Sequence, residues 1–451
     1  MKTLFTRGVI AALIAALLVL TVPFAGEIGL TGSQARAAED EDKPRNTRRV
    51  PTMSEATFKK LSEAQEALDA KDYDGAKKTL QDMLSRCQRS CNGNEIGQVH
   101  NMLGFVYFSE ENYAAAIKEY EQVVAQGEQI PEGLETTTLY TLAQLSFVEE
   151  RYTDALHYME TWITKANNPG ADPHIFMGQV YYQMKEYPQA VSQIEKGIAI
   201  AKERGQEVKE NWWALLNYLY YEQENWPKVL ETLEILVKQF PKRQYWVQLA
   251  GIYGQQGQEK EQVWAMQAAY TGGYLERESD LISFAGLLMQ QQVPYRAALV
   301  LEKGFKDKII ERTAKNLQSL GQAWQLAQEP DKAIPAYEEA GKRAEDGKIY
   351  ERLAQLYLDV DKYDACVAAS DNALDKGGLR STQQVYIVKG MCQYNKDQSK
   401  VSNLTAARKS FVDCRNQSRR DDDSSNQRIC AQWITYIDNE TKRLQQLEAS
   451  L

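Results

Sequence analysis

The chain has 451 residues, a formal net charge of −9, 25 tyrosines and 8 tryptophans. A chain this acidic has no electrostatic footprint for nucleic acid, whose phosphates ask for a basic face, and it favours a basic partner. Its aromatic residues supply ample apolar surface for burial.

Lys2 and Arg7 flank the start of an uncharged apolar run at 8–22, and Ala35-Arg36-Ala37 offers a small-x-small cleavage site before Ala38. Residues 1–37 read as a signal peptide for export across a bacterial inner membrane into the periplasm. The alternative is an uncleaved single-span anchor over residues 8 to about 25, at the short end of spanning length. Either form places the rest of the chain in the same compartment, and membrane contact arises only through such an anchor. No cysteine follows the apolar run closely, which argues against a lipoprotein. Cleavage removes Lys2, Arg7 and Arg36 with Glu27 and leaves a net charge of −11. Residues 38–57 carry Glu39-Asp40-Glu41-Asp42 and Arg48-Arg49 with few apolar residues, and are expected to be a flexible charged linker.

Beyond it, one spacing recurs. Gly104, Tyr107, Tyr113 and Ala116 form one copy; Gly178, Tyr181, Tyr187 and Ala190 another; Ala354, Tyr357, Tyr363 and Cys366 a third. The small position of the second helix falls at Ala76, Ala116, Ala155, Ala190, Val229, Gln262, Ala298, Ala333, Cys366 and Ala407, at gaps of 33 to 41 residues. Small residues suit places where two helices cross closely, and the rings fill the wedges between them. Pro241 stops a second helix. The copies centred on Gln262 and Ala298 are degenerate. This pattern resembles the tetratricopeptide repeat (TPR) over 58–415. The resemblance implies an all-α, right-handed α-solenoid of about ten helical hairpins with a concave inner wall, in place of the two or three domains that length alone suggests.

Six cysteines in an exported chain point to disulfides. Cys87 and Cys91 are placed to close a small ring, Cys366 and Cys392 to staple two repeats, and Cys414 and Cys430 to close over a polar loop. Six cysteines allow 15 pairings, and free core thiols are the alternative. Residues 416–426, with Arg419-Arg420-Asp421-Asp422-Asp423, are expected to be a disordered loop. Residues 427–451 are expected to form a capping helix, with Trp433, Ile434 and Ile437 on one side and Glu440, Lys442 and Arg443 polar.

The sequence carries no constellation for catalysis. The three histidines, His100, His157 and His174, stand apart from metal-ligand spacings, and no phosphate loop, nucleophile elbow or dinucleotide fingerprint occurs. Cys87 and Cys91 have three residues between them, not two, and cannot make a four-ligand zinc site alone. The expectation is a non-enzyme without cofactor or metal.

The TPR register implies which side chains line the concave wall. The candidate peptide-binding residues are Asn101, Phe105 and Phe108; Tyr140, Gln144 and Phe147; Gln179 and Tyr182, with Ile175; and Tyr218 and Tyr221. Further on come Gln244, Gln290, Gln318, Gln322, Gln325 and Gln355. Amides exchange hydrogen bonds with a peptide backbone and rings supply apolar shelf, so the wall suits an extended polypeptide. Cations are few, Lys315 and Lys348 being the main ones, which disfavours a clamp for a terminal carboxylate.

Four stretches carry a narrower resemblance: Arg48-Arg49-Val50-Pro51 leading to Leu61-Ser62-Glu63-Ala64-Gln65; Asn211-Trp212-Trp213 with Gln239-Phe240-Pro241; Tyr245-Trp246 with Leu249-Ala250-Gly251-Ile252-Tyr253; and Gln432-Trp433-Ile434-Thr435-Tyr436-Ile437. These are similar to the periplasmic TPR proteins of gammaproteobacterial TonB energy-transduction systems. The resemblance implies a periplasmic adaptor for iron or haem uptake, with a TonB/ExbB/ExbD-type complex as partner and no catalytic residues. An envelope assembly factor, serving outer-membrane proteins, polysaccharide or cell wall, is the alternative for the same architecture.

Overall fold

The computed structural model describes residues 48–87 and 90–450. The expected signal segment 1–37 and the part 38–47 of the expected linker lie outside the described residues. Within them the regular structure is 21 α-helices and one 3₁₀ turn, Gly127–Gln129. Twenty of the helices pair in sequence into ten hairpins. These are α1 (Glu55–Asp69) with α2 (Tyr73–Cys87), α3 (Gly93–Ser109) with α4 (Tyr113–Val124), and α5 (Glu132–Val148) with α6 (Tyr152–Lys165). Next come α7 (Asp172–Gln183) with α8 (Tyr187–Glu203), α9 (Glu210–Glu222) with α10 (Trp226–Gln239), and α11 (Arg243–Gln255) with α12 (Glu259–Thr271). The last four are α13 (Glu278–Gln290) with α14 (Pro294–Lys306), α15 (Ala314–Leu326) with α16 (Pro330–Arg343), α17 (Lys348–Asp359) with α18 (Tyr363–Lys376), and α19 (Thr382–Lys396) with α20 (Val401–Arg420). A long helix, α21 (Ser424–Ser450), closes the array. The chain is thus an all-α hairpin solenoid, with one apolar cluster running unbroken from Ala171 to Cys392.

The recurring small residues explain why each hairpin closes. Ala76, Ala116, Ala155, Ala190, Ala298, Ala333, Cys366 and Ala407 are fully buried. Facing them, a Cβ on Gly104 would come within 2.7 Å of the Tyr120 ring, one on Gly178 within 2.5 Å of Ile194, one on Gly321 within 2.8 Å of Tyr337 and one on Gly390 within 2.8 Å of Phe411. Each of those large side chains stands four residues after the small one, one helical turn on, so it lies over the glycine of its partner helix. The sixth hairpin inverts the arrangement. Gln262 is half-buried, and its amide lies where a Cβ of Gly254 would be, within 2.5 Å. The volume lost at one helix is taken up by the other, which is why the spacing there looks degenerate.

The hairpin turns share a backbone solution. The residue five before the small position has positive φ in Lys71 (60°), Glu111 (59°), Glu150 (58°), Lys185 (61°), Glu224 (55°), Gln328 (61°) and Asp361 (57°), and in Gly257 (70°). This left-handed conformation reverses the chain in few residues at a local cost to a side chain with a Cβ.

Two expectations need correction. The expected flexible linker extended to residue 57, yet residues 48–54 are fastened and α1 starts at Glu55 with Ser54 as its N-cap. Arg48 donates to Glu135 at 2.8 Å and to the carbonyls of Gly127 and Ile130 at 3.3 Å. Lys165 meets the other oxygen of Glu135 at 2.9 Å. Asn94 donates to the Pro51 carbonyl and Asn92 to that of Thr52, both at 2.9 Å. Glu95 accepts from the Ser54 amide (2.9 Å), the Thr57 hydroxyl (2.7 Å) and the Asn92 amide (2.9 Å). The polar residues that suggested a tether are partners of carboxylates buried in the second and third hairpins. The second correction is at 416–426, expected as a disordered loop. Helix α20 runs on to Arg420 and α21 begins at Ser424. Asp423 accepts from the Asn426 amide at 2.9 Å, capping α21, and Asp421 accepts from Gln383 at 2.7 Å. Carboxylates at a helix N-terminus are favourable, so the acidic run is a turn.

Burial alone would raise the Glu95 pKa. The hydrogen bonds from Ser54, Asn92 and Thr57 outweigh it and hold the group at about 2. Its contribution is therefore full above about pH 4.5 and is lost as pH falls toward 2. Glu95→Ala should cost about 3 kcal/mol, since it leaves three donors without an acceptor in a buried place. Hydrogen exchange in α1 and α3 is the measurement: the variant exchanges faster at neutral pH, and wild type and Glu95→Gln converge in acid.

Three disulfides are present, Cys87–Cys91, Cys366–Cys392 and Cys414–Cys430. The second joins α18 to α19 and the third joins α20 to α21. Trp433 stacks on Phe411 at 5.0 Å, and Ile434 and Ile437 are buried, so α21 lies on the last hairpin. Among the described residues no helix is long and apolar enough to cross a membrane.

Candidate peptide-binding face

The first helices of hairpins two to five, α3, α5, α7 and α9, carry the candidate residues at fixed places: 15, 11 and 8 residues before the small residue of the same hairpin. Steps of four and three put such residues on one side of a helix. In α3 they are Asn101, Phe105 and Phe108; in α5, Tyr140, Gln144 and Phe147; in α7, Ile175, Gln179 and Tyr182; in α9, Tyr218 and Tyr221. Most are half-buried, while Tyr221 is 45% exposed. Ile175 departs from the expectation. It is buried, and a Cβ on Gly197 would touch it at 2.7 Å, so it packs between α7 and α8.

The structure adds a second ring to each first-helix ring. Phe108 meets Tyr113 at 5.8 Å, Phe147 meets Tyr152 at 5.9 Å, Tyr182 meets Tyr187 at 6.3 Å and Tyr221 meets Trp226 at 5.4 Å between centroids. The partner always stands three residues before the small position, at the start of the second helix. Four consecutive hairpins thus set a ring pair across the same turn. Further contacts cross from hairpin to hairpin: Phe147 to Phe176 at 5.7 Å and Tyr182 to Tyr218 at 5.7 Å. Tyr140 is edge-on to Trp162 at 5.3 Å. Sequence reasoning treated Tyr113 and Tyr187 as wedge fillers and overlooked Tyr152, Trp162 and Trp226. The signal for Tyr152 and Trp226 was in the register, which has an aromatic at one position in four successive copies.

The row then ends. The corresponding pairs in the next hairpins are Gly254 with Glu259, Gln290 with Tyr295, and Gln325 with Pro330. Charge changes at the same place. Residues 91–239 hold 22 acidic and 10 basic residues, a net of −12, whereas 240–451 hold 28 and 29, a net of +1. Rings and acidity therefore occupy the same four hairpins. Burial raises the pKa of Tyr187, with Glu222 and Tyr182 adding. It also raises that of Tyr218, with Tyr182 and Glu222 adding.

The amides of the later hairpins are more scattered in role. Gln244, Gln290, Gln322 and Gln355 are exposed. Gln325 accepts from the Tyr337 hydroxyl at 2.9 Å. Lys348 is paired with Asp346 at 2.7 Å, whereas Lys315 is exposed.

The histidines have local partners. His100 lies 2.7 Å from Glu119, and His157 packs on Tyr158 at 5.7 Å. His174 is 2.9 Å from Gln193; burial lowers its pKa and the Gln193 hydrogen bond opposes that. Among the described residues no group of three or more His, Cys, Asp or Glu could hold a metal ion.

Residues 97–125, most of the α3–α4 hairpin, match the family model of the tetratricopeptide repeat. No curated protein sequence matches the chain. Among similar solved structures is a tetratricopeptide repeat protein from Parabacteroides merdae, 15% identical, covering 68% of this chain and 100% of its own, at a TM-score of 0.34. Another is MamA, 16% identical over 38% of this chain and 93% of its own, at 0.31. A third is YrrB, described as a TPR protein with an unusual peptide-binding site, 11% identical over 38% of this chain and 83% of its own, at 0.31.

Proposed function

We propose that this chain is a non-catalytic scaffold that holds an extended, basic polypeptide along α3, α5, α7 and α9. The observation that carries the reading is the coincidence of four ring pairs at one register with a local net charge of −12. Rings give shelf area to side chains and prolines, the amides of Asn101, Gln144 and Gln179 suit a peptide backbone, and the acid excess speeds encounter with a cationic partner. The proposed setting is the periplasm, supported by the apolar run at 8–22 and by three disulfides, which persist in oxidising compartments. The proposed role is accessory to a TonB system for iron or haem uptake, supported by the four sequence stretches given above.

A photoreactive residue at Phe108 or Tyr182, crosslinked in iron-starved cells, tests this. Capture of TonB or its motor partners supports the adaptor role. Capture of outer-membrane assembly or cell-wall proteins alone replaces it with envelope assembly. The face itself is tested by Phe147→Ala combined with Tyr182→Ala. The pair should weaken capture about tenfold or more, because ring anchors dominate such contacts. Unchanged capture removes these helices as the site.

A further inference from the structure

The ring row has one place where its chemistry is more specific than shelf area. Tyr182 stacks near Tyr187 with planes 25° apart, and Tyr218 stands edge-on to Tyr182 at 87°. Tyr218 and Glu222 stand four residues apart on α9, so their side chains share one side of that helix, and burial followed by the charges of Tyr182 and Glu222 raises the Tyr218 pKa. Tyr221 and Trp226 follow on the same turn edge at 5.4 Å from each other. Glu222 therefore lies at the edge of this ring cluster, where Tyr187 and Tyr218 both feel its charge.

The array uses ring faces to hold its own cations elsewhere. Lys332 lies 4.4 Å from the Trp324 ring and 5.2 Å from that of Tyr295, Lys209 lies 5.1 Å from Trp212, and Lys77 lies 5.8 Å from Tyr107. Among the described residues, none of these five rings has a lysine or arginine over it, and Glu222 pairs with no cation. Glu222 is exposed while Tyr182, Tyr187 and Tyr218 are half-buried. Ring faces attract a cation, and a carboxylate at their edge supplies the counter-charge that an incoming side chain needs. The surrounding hairpins carry the acid excess described above, so no general repulsion keeps a cation away.

We infer that Tyr182, Tyr187 and Tyr218 with Glu222 form a box that takes one arginine side chain of the bound polypeptide. The inference rests on the peptide-scaffold reading and gives that peptide an anchoring residue. Arginine is the occupant because its planar guanidinium stacks on a ring while its edge hydrogen-bonds a carboxylate, which the compact, strongly hydrated ammonium of lysine does less well. The box also sets register: a polypeptide anchored there lays its neighbouring residues along Phe147 on one side and Tyr221 on the other.

The test uses the full-length chain and a fluorescein-labelled peptide of alternating arginine and proline, with a second peptide in which citrulline replaces arginine. Citrulline keeps the shape and loses the charge. Anisotropy should show the arginine peptide binding about tenfold more tightly. Glu222→Gln should weaken it about fivefold and leave the citrulline peptide unaffected, and Tyr218→Leu should weaken the arginine peptide more than the citrulline peptide. Glu222 is exposed, so its variant keeps the fold. Glu132→Gln, an equal charge loss at the start of α5, should change little. Equal losses from Glu222→Gln and Glu132→Gln overturn the box and leave the scaffold reading standing, because the attraction is then diffuse. Binding of neither peptide removes the scaffold reading itself, and the box with it.

Discussion

Gly347→Ala should destabilise the C-terminal hairpins by about 3 kcal/mol. Gly347 is the residue before α17, and its amide donates to the Gly377 carbonyl at 2.8 Å. A Cβ there would run into the backbone of Ala373, 2.9 Å from its carbonyl carbon and 3.0 Å from its Cα, and nearer still to the oxygen. At Gly104 or Gly321 the obstacle is a side chain, which can turn away; at Gly347 it is the last turn of α18, which cannot. The loop between α16 and α17 must lift off, and the hydrogen bond to Gly377 goes with it. An array of hairpins fails locally, since each unit leans only on its neighbours. Hydrogen exchange should therefore accelerate in α17 to α19 and remain unchanged in α3 to α9. Gly133→Ala is the contrasting variant. Nothing lies within 4 Å of its Cβ position in the first turn of α5, so it should gain about 0.5–1 kcal/mol from helix propensity. Unaltered exchange in Gly347→Ala would show that the close approach is not real.

Removing the Cys366–Cys392 bond should cost a similar amount, about 3 kcal/mol, because the bond closes a loop with a sequence separation of 26. Both residues are fully buried, and the bond ties one hairpin to the next at the point where the long apolar cluster ends. The pair Cys366→Ala and Cys392→Ala keeps the sites apolar, so the loss reports mainly the missing crosslink. Cys87–Cys91, with a separation of 4, constrains far less chain, and its removal should cost about 2 kcal/mol. The measurement is thermal unfolding with and without reductant. Reductant should lower the C-terminal transition of wild type by more than that of the double variant, which keeps Cys87–Cys91 and Cys414–Cys430 and loses only those bonds. A wild-type transition indifferent to reductant would contradict the expectation. The same experiment bears on the proposed compartment, since a fold that weakens on reduction is suited to an oxidising one.

The architecture was legible because helix crossings demand small residues and the demand repeats. Gly104 with Ala116 and Gly178 with Ala190 mark that spacing without any knowledge of contacts. The sixth hairpin was harder to read, because Gln262 and Gly254 exchange volumes and only the pair satisfies the rule. Residues 48–54 were misread for a different reason. Arg48 and Ser54 look solvated until Glu135 and Glu95 are found buried opposite them, and those partners lie 87 and 41 residues away. The run around Asp421 was misread because local composition does not show that two helices meet there. On the candidate face, first-helix rings such as Phe147 and Tyr182 followed from the register. Their partners Tyr152 and Trp226 did not, since the register also explains an aromatic there as packing. Ile175 shows the limit of register reasoning: a position that faces outward in one hairpin is covered in another.

The uneven charge has a consequence for how the molecule sits among its surroundings. Hairpins two to five carry −12 and the remainder beyond residue 240 carries +1, so the array's charge is concentrated in one stretch. Near a negatively charged lipid surface it experiences a torque as well as a force. The ring-bearing hairpins are the part that such a surface repels most. Orientation of this kind acts over roughly a Debye length, about 8 Å at physiological ionic strength, and fades as salt rises. A cationic partner arriving from solution would then meet the ring-bearing hairpins on the repelled side, before any contact has formed.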